Sequence, residues 1–264
     1  MTTLDLTPRI DASPRGRAGD TVALIGRCLR RSTRQLDTLL LAVMLPVMLL
    51  LMFVYVFGGA LDAGMDYVDF VVPGIILLTA GYGAATTAVD VATDVEGGLM
   101  DRFRSMPIRA TGVVTGHVVA SMARNAVSTA LVIGVGLLIG FDAHASALEW
   151  LGAIGLIALY VAAMTWIAVA IGIVASGPEA ASGFSFAILF IPYVSSAFVP
   201  VDTMPSVLGA IAAWNPVTPV ADTLRALLLG TSVDGSTVAA ALAWCVGLLV
   251  VARVASGLLF RRRR

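Results

Sequence analysis

Lysine is absent from this 264-residue chain; all seventeen basic residues are arginine. A phosphate-binding loop of the GxxxxGK[ST] type needs its lysine to reach the nucleotide phosphates, so the chain does not hydrolyse nucleotide in the usual way by itself. Cysteine is nearly as scarce. Cys28 and Cys245 stand far apart and offer neither a disulfide framework nor metal-ligand spacing. His117 and His144 are the only histidines, and no HExxH or comparable metal cluster exists. Charge as a whole is thin. Only 13% of residues are charged, against about 25% in an ordinary soluble domain. A cleavable signal is not expected either, because the polar, arginine-rich stretch before the first apolar run is far longer than a signal's charged region.

Apolar surface fills the place of what is missing. The chain is 58% hydrophobic with a mean hydropathy of +0.93, which indicates an integral membrane protein. A crossing helix needs about 20 apolar residues. Runs of that kind occupy 38–58, 70–91, 113–140, 150–174, 182–200 and 237–260, predicting an all-α membrane protein with six transmembrane helices. Six spans put both termini on one side, and arginine placement says which. Arg9, Arg15, Arg17, Arg27, Arg30, Arg31 and Arg34 precede the first span; Arg102, Arg104 and Arg109 sit in the second loop; Arg261 to Arg264 form the tail. The opposite face has only Arg225. Both ends are therefore expected in the cytoplasm.

Two arginines fall within spans, Arg124 and Arg253. Each stands about 15 residues, or ~22 Å, from the outer end of its helix. Both are within snorkelling reach of the inner interface, and we read each as an anchor there, with a charged element in a transport path as the alternative. Tyr82, Asp90 and Asn125 join Arg124 as polar candidates for a lumen or for the inner rim.

Three segments are not simple spans. Residues 1–20, with Pro8, Pro14, Gly16 and Gly19, read as a disordered lead-in. Residues 21–36 place Val22, Ile25, Cys28, Leu29 and Leu36 on one helical arc and Arg27, Arg30, Arg31 and Arg34 on the other, as a helix lying in the headgroup layer requires. An anchoring role suits that helix better than a nucleic-acid role. The second segment is "DVEGGLMDRFRSMPIRATG", residues 94–112. Gly97 and Gly98 break the preceding helix and Pro107 disfavours helix at Met106. Leu99, Phe103 and Met106, spaced i, i+4, i+7, make one apolar ridge among charges of both signs. Such a ridge serves equally as a docking surface for a soluble partner or as a short helix resting on lipid. The third segment, 199–235, contains two short helix patterns, "SVLGAIAAW" and "VADTLRALLL". Asp202 and Thr203 before Pro205, and Thr218 before Pro219, read as caps; Asn215 and Pro216 mark the turn, and Gly230 closes the second helix.

Catalysis is not expected. Ser185 in "GFSFA" has no histidine at its depth to act as a base, and packing accounts for it. Ionisable groups cluster toward the inner ends of the spans, which disfavours an ion-driven carrier.

The layout, the "EGGLMDRFRSMPIRATG" block and the "FVPVDTMPSVLGAIAAWNPVTPVADTLRALLLG" segment resemble the type-2 ABC transporter permeases, in particular the daunorubicin/doxorubicin-resistance permeases of antibiotic-producing bacteria. The resemblance spans about residues 20 to 262 and is most specific at Met106–Pro107 and from Asn215 to Gly230. It implies a permease domain over 37–260 followed by a basic cytoplasmic tail, 261–264, in a bacterial cell membrane. It implies a second permease subunit, identical or closely related, and two copies of a separate ATPase that carries the ATP and magnesium, with no cofactor on this chain. Residues 94–109 would be the coupling helix in a cleft of that ATPase, with contacts from Glu96, Leu99, Asp101, Arg102, Phe103, Arg104, Met106 and Pro107. Stretch 21–36 would be the interfacial helix. The outer hairpin 203–229 would cap the exit, with Asp202, Pro205, Trp214, Asn215, Pro216 and Arg225 as candidate exit residues. The implied cargo is an amphipathic or hydrophobic drug. Lipid or glycolipid export, a secondary carrier without an ATPase and a non-transporting membrane anchor are the alternatives.

Overall fold

The computed structural model describes residues 25, 26, 28, 30, 36–61, 63–98, 111–232 and 234–262, and every structural statement below concerns these. They are helical throughout apart from short connections, with no strand among them. Helix α1 (Leu36–Met52) runs on into a π-helical turn, Phe53–Phe57; α2 is Tyr67–Glu96, α3 Thr111–Leu138 and α4 Ala147–Val174. Helix α5 (Pro178–Leu189) is followed by 3₁₀ turns at Ile191–Val194 and Val201–Thr203, then α6 (Ser206–Trp214), α7 (Val217–Leu229) and α8 (Gly235–Arg262).

Four of these are long and apolar enough to cross a bilayer: Tyr67–Glu96, Val114–Leu138, Ala147–Val174 and Gly235–Phe260. They coincide with the expected spans 70–91, 113–140, 150–174 and 237–260. The other two expected spans look different. Val43–Phe57 is a shorter apolar helix, with Pro46 inside α1 and π geometry at its end. Segment 182–200 is a broken helix and not a continuous rod. Helix α5 has 12 residues, about 18 Å of rise against a hydrocarbon core of ~30 Å. Pro192 explains the break: it has no N–H to donate to the carbonyl four residues back, and its ring crowds that turn. The chain tightens to 3₁₀ over Ile191–Val194 and leaves the helix in extended conformation at Ser195.

Helix α2 is the hub. It packs against α1, α3, α4, α5 and α7, and 78% of its most apolar stretch is buried, against 17% for α8. Helix α8 leans on α4 and α7, and its remaining faces, including Val250, Val251 and Val254, are exposed. Small residues let the neighbours of α2 approach closely. A Cβ on Gly172 of α4 would lie 2.6 Å from the Ala88 carbonyl oxygen and 2.7 Å from Val91 Cβ. We expect Gly172→Ala to push α4 off α2 and to cost about 1–3 kcal/mol through overpacking, seen as a lower thermal midpoint in detergent; an unchanged midpoint would show that the two helices separate without cost.

Helix ends follow local chemistry. Ser146 starts α4 with a capping box, its Oγ accepting from the Glu149 N–H while its own N–H donates to Glu149 Oε2. Helix α2 stops at Gly97 and Gly98 as expected, Gly98 taking φ +64, a left-handed conformation that glycine adopts freely. The hairpin caps differ from expectation. Asp202 and Thr203 belong to a separate 3₁₀ turn, and Pro205 is the residue preceding α6. Helix α7 starts two residues before Pro219, so Thr218 is inside it. Pro216 is the N-cap residue and makes no side-chain cap bond, while Oδ1 of the preceding Asn215 accepts from the Val217 N–H at 2.9 Å.

Candidate functional site

Polar side chains gather at three levels along α2, and each level ties α2 to a different set of neighbours. At the Tyr67 end the centre is Arg225 of α7, which is buried. Its Nε donates to the Phe70 carbonyl at 3.2 Å, Nη2 to the Ser196 carbonyl at 2.8 Å, and Nη1 to Asp222 Oδ1 at 2.8 Å. The guanidinium lies 3.9 Å over the Phe70 ring, adding a cation–π contact. Burial lowers its pKa and the Asp222 carboxylate opposes that shift; a guanidinium keeps its charge regardless. Ser196 Oγ donates to the same Asp222 oxygen at 2.7 Å, while Thr218 Oγ1 donates to the Ala212 carbonyl at 2.6 Å and accepts from the Ser196 N–H at 3.3 Å. Asn215 Nδ2 donates to the carbonyls of Ile191 and Val194 at 2.8 and 2.6 Å. These carbonyls lose their helical partners because the chain turns extended at Ser195, so the hairpin supplies the donors.

Asn215 and Arg225 are thus brought onto one segment, 191–198. Asp202, Pro205 and Trp214 are not in that network; they are exposed. Trp214 instead walls an open apolar groove of about 800 Å³ with Phe190, Ile191, Val194, Leu208 and Ile211, and Asn215 and Pro216 reach its edge.

At mid-length, Arg124 of α3 turns inward. It is 7% exposed, and its Nη2 donates to Thr87 Oγ1 at 2.9 Å and to the Gly83 carbonyl at 3.3 Å. Asp90, one turn from Thr87, is near enough to act on it electrostatically. Arg124 is therefore a buried residue of the bundle, and the oxygens of Thr87 and Gly83 together with the Asp90 charge offset part of the cost of burying its guanidinium. Arg253 behaves differently, lying exposed with its guanidinium 5.4 Å over the Trp166 ring. Asn125 is beside Arg124, pressed on Gly83, with Nδ2 donating to the Ser121 carbonyl at 2.9 Å. Ser121 Oγ in turn meets Thr165 Oγ1 of α4 at 3.1 Å. Asp90, Arg124 and Asn125 thus share the α2–α3 seam, whereas Tyr82 faces Tyr193 on another side of α2.

The Glu96 end carries a pair that sequence reasoning missed. His117 Nε2 and Asp94 Oδ2 are 2.9 Å apart, and both side chains are buried. The bond joins the last turn of α2 to the second turn of α3. A signal existed in the two residues flanking the charged block, but only packing could pair them. Glu96 is exposed, and its carboxylate flanks Gly177 together with that of Glu179. Leu99, Asp101, Arg102, Phe103, Arg104, Met106 and Pro107 lie outside the described residues, as does most of 21–36. Within that stretch Cys28 is buried and Arg30 exposed, both helical.

Comparison with known proteins gives this architecture a lineage. The family model described as ABC-2 type transporter matches residues 20–229. The chain is 34% identical over 192 residues, 72% of its length and 68% of the relative's, to the daunorubicin resistance ABC transporter permease protein DrrB1 of Streptomyces coeruleorubidus. It is 27% identical over 254 residues, 92% of its length and 88% of the relative's, to the probable doxorubicin resistance ABC transporter permease protein DrrC of Mycobacterium tuberculosis. The chain belongs to the ABC-2 type transporter family.

Proposed function

We propose that this chain is the membrane-spanning subunit of an ATP-driven exporter of amphipathic drugs, working as a pair of permease subunits over two copies of a separate ATPase. The path crosses the bacterial plasma membrane six times with both termini in the cytoplasm; Val43–Phe57 and the broken 178–200 segment supply the two irregular crossings. ATP and its magnesium belong to the partner. The charged block 94–109 is the handle that the ATPase grips.

The observation that carries this reading is the buried Asp94–His117 bond. It fastens α2 to α3 where the block leaves and re-enters the bundle, so a displacement of the block moves both helices together. Helix α2 packs on five others, which lets that displacement reach the hairpin through Phe70 and Arg225. Alternating access follows as a rigid shift of the bundle relative to its partner permease. The groove at Phe190 and Trp214, with Phe184 and Phe186 also exposed, is an apolar face of the size a second permease subunit would cover.

Inverted vesicles holding the permease and its ATPase test the reading. Daunorubicin should accumulate inside only when ATP and the ATPase are both present, and should continue to do so after a protonophore collapses the proton gradient. Accumulation that needs no ATPase and stops with the protonophore would identify an ion-driven carrier instead.

A further inference from the structure

We infer that a cavity between α3 and α4 is a binding site, entered sideways from the hydrocarbon, for a small amphipathic molecule with a ring-bearing apolar body and one hydrogen-bonding group. The cavity measures about 320 Å³ and is lined chiefly by Asn125, Thr129, Ile133, Trp150, Ile157 and Val161. That volume is at the lower end of the range of small-molecule pockets, and a mostly apolar lining with a few placed polar atoms is their usual composition.

The polar atoms make this more than a packing defect. Hydroxyls in apolar helices normally satisfy themselves by donating to a carbonyl one turn back. Thr79, Thr87, Thr93 and Ser256 all do so here, at 2.7 to 2.9 Å. Thr129 does not. Its Oγ1 is buried and has no hydrogen-bond partner among the described residues. Leaving such an atom bare costs about 1–3 kcal/mol. It stands well inside the 28-residue α3, where bulk water does not reach to satisfy it. A ligand that brings a donor to this depth removes the penalty, so the cavity selects against purely apolar lipid tails.

Access is lateral. Ala126 and Ala130 of α3 form one lip of the cavity and are exposed; their small side chains leave the mouth open. Trp150 and the branched aliphatics opposite offer a flat ring and adaptable surface, which suits an aromatic body better than an extended chain. A site that loads from the bilayer would give the exporter its amphipathic cargo; that use of the site rests on the exporter reading, while the site itself does not.

The test uses the full chain in phosphatidylcholine nanodiscs with Trp166, Trp214 and Trp244 changed to Phe, so that Trp150 alone reports. The probe 1-aminonaphthalene should quench Trp150 saturably, and 1-methylnaphthalene, the same shape without the donor, should compete for the site roughly 3–10-fold more weakly. Thr129→Val, which keeps the shape and removes the hydroxyl, should bring the two compounds together. Ala130→Phe, at an exposed position where folding is not at risk, should abolish the saturable phase. Quenching that rises linearly with probe content and is the same in Ala130→Phe is partition into lipid and overturns the site. A preference for the amine that survives Thr129→Val overturns it too. Saturable binding without ATP-driven export would leave the site standing and sink the exporter reading; export at full rate with no saturable binding would do the reverse.

Discussion

Reversing charge at Arg102 and Arg104 together, by Arg102→Glu with Arg104→Glu, is expected to lower permease-stimulated ATP turnover at least about tenfold and to stop export. In the proposed assembly these arginines face acidic groups on the ATPase. Placing like charges opposite one another costs several kcal/mol at an interface, and 1.4 kcal/mol is already a factor of ten. Insertion should be unaffected, because seven arginines before the first span and four in the tail still fix the orientation after these two are lost. Membrane-inserted protein, measured by immunoblot of washed membranes, should therefore match the wild type. Lysine at both positions keeps the charge and should retain most of the turnover. Undiminished turnover in the glutamate pair would remove Arg102 and Arg104 from the interface and leave the ridge of Leu99, Phe103 and Met106 to be explained by contact with lipid.

What the sequence made legible follows from which forces act locally. Hydropathy is summed over about twenty neighbours, so α2, α3, α4 and α8 could be read directly from their composition. The hairpin was legible for a similar reason: Asn215, Pro216 and Gly230 impose their conformations within one turn. The broken α5 was less visible because "GFSFAILFIPYVSS" is apolar enough to pass for a span, and Pro192 reveals its effect only when the hydrogen bonds are followed. Long-range pairs were the least legible. Arg225 stood out as the lone outer arginine, yet its partners Phe70 and Ser196 are 155 and 29 residues away. Asp94 and His117 looked unrelated until α2 and α3 were laid side by side. The partners of Arg124, Thr87 and the Gly83 carbonyl, were equally hidden, because distance along a helix says how far a side chain could reach and nothing about an oxygen partner nearer at hand. The cavity at Thr129 gave no sequence signal, because it depends on how α3 and α4 pack together.

Among these long-range pairs Arg225 is the sharpest case, because it alone holds irregular backbone, at the Ser196 carbonyl just past the end of the broken helix. Arg225→Met preserves most of the side chain's apolar contact and removes only the guanidinium. The Phe70 and Ser196 carbonyls then lose a charged donor, Asp222 loses its cation, and the Phe70 ring loses its cation–π partner. Breaking a buried ion pair by removing one side costs about 3–5 kcal/mol; because the Asp222 side chain is 37% exposed, water recovers part of that, and the expected loss is about 3 kcal/mol. The variant should unfold at a clearly lower temperature in nanodiscs. Arg225→Lys should fall between, since an ammonium carries the charge but lacks the fork that spans two carbonyls and a carboxylate. The origin of the loss can be separated. If the ion pair with Asp222 dominates, Asp222→Asn should rescue Arg225→Met; the geometry favours the two backbone carbonyls, so rescue should recover less than half. A methionine variant as stable as the parent would mean that the bonds of Asn215, Thr218, Asp222 and the Tyr67 hydroxyl hold segment 191–198 without the guanidinium, and Arg225 would then carry no mechanical tie between α2 and the hairpin.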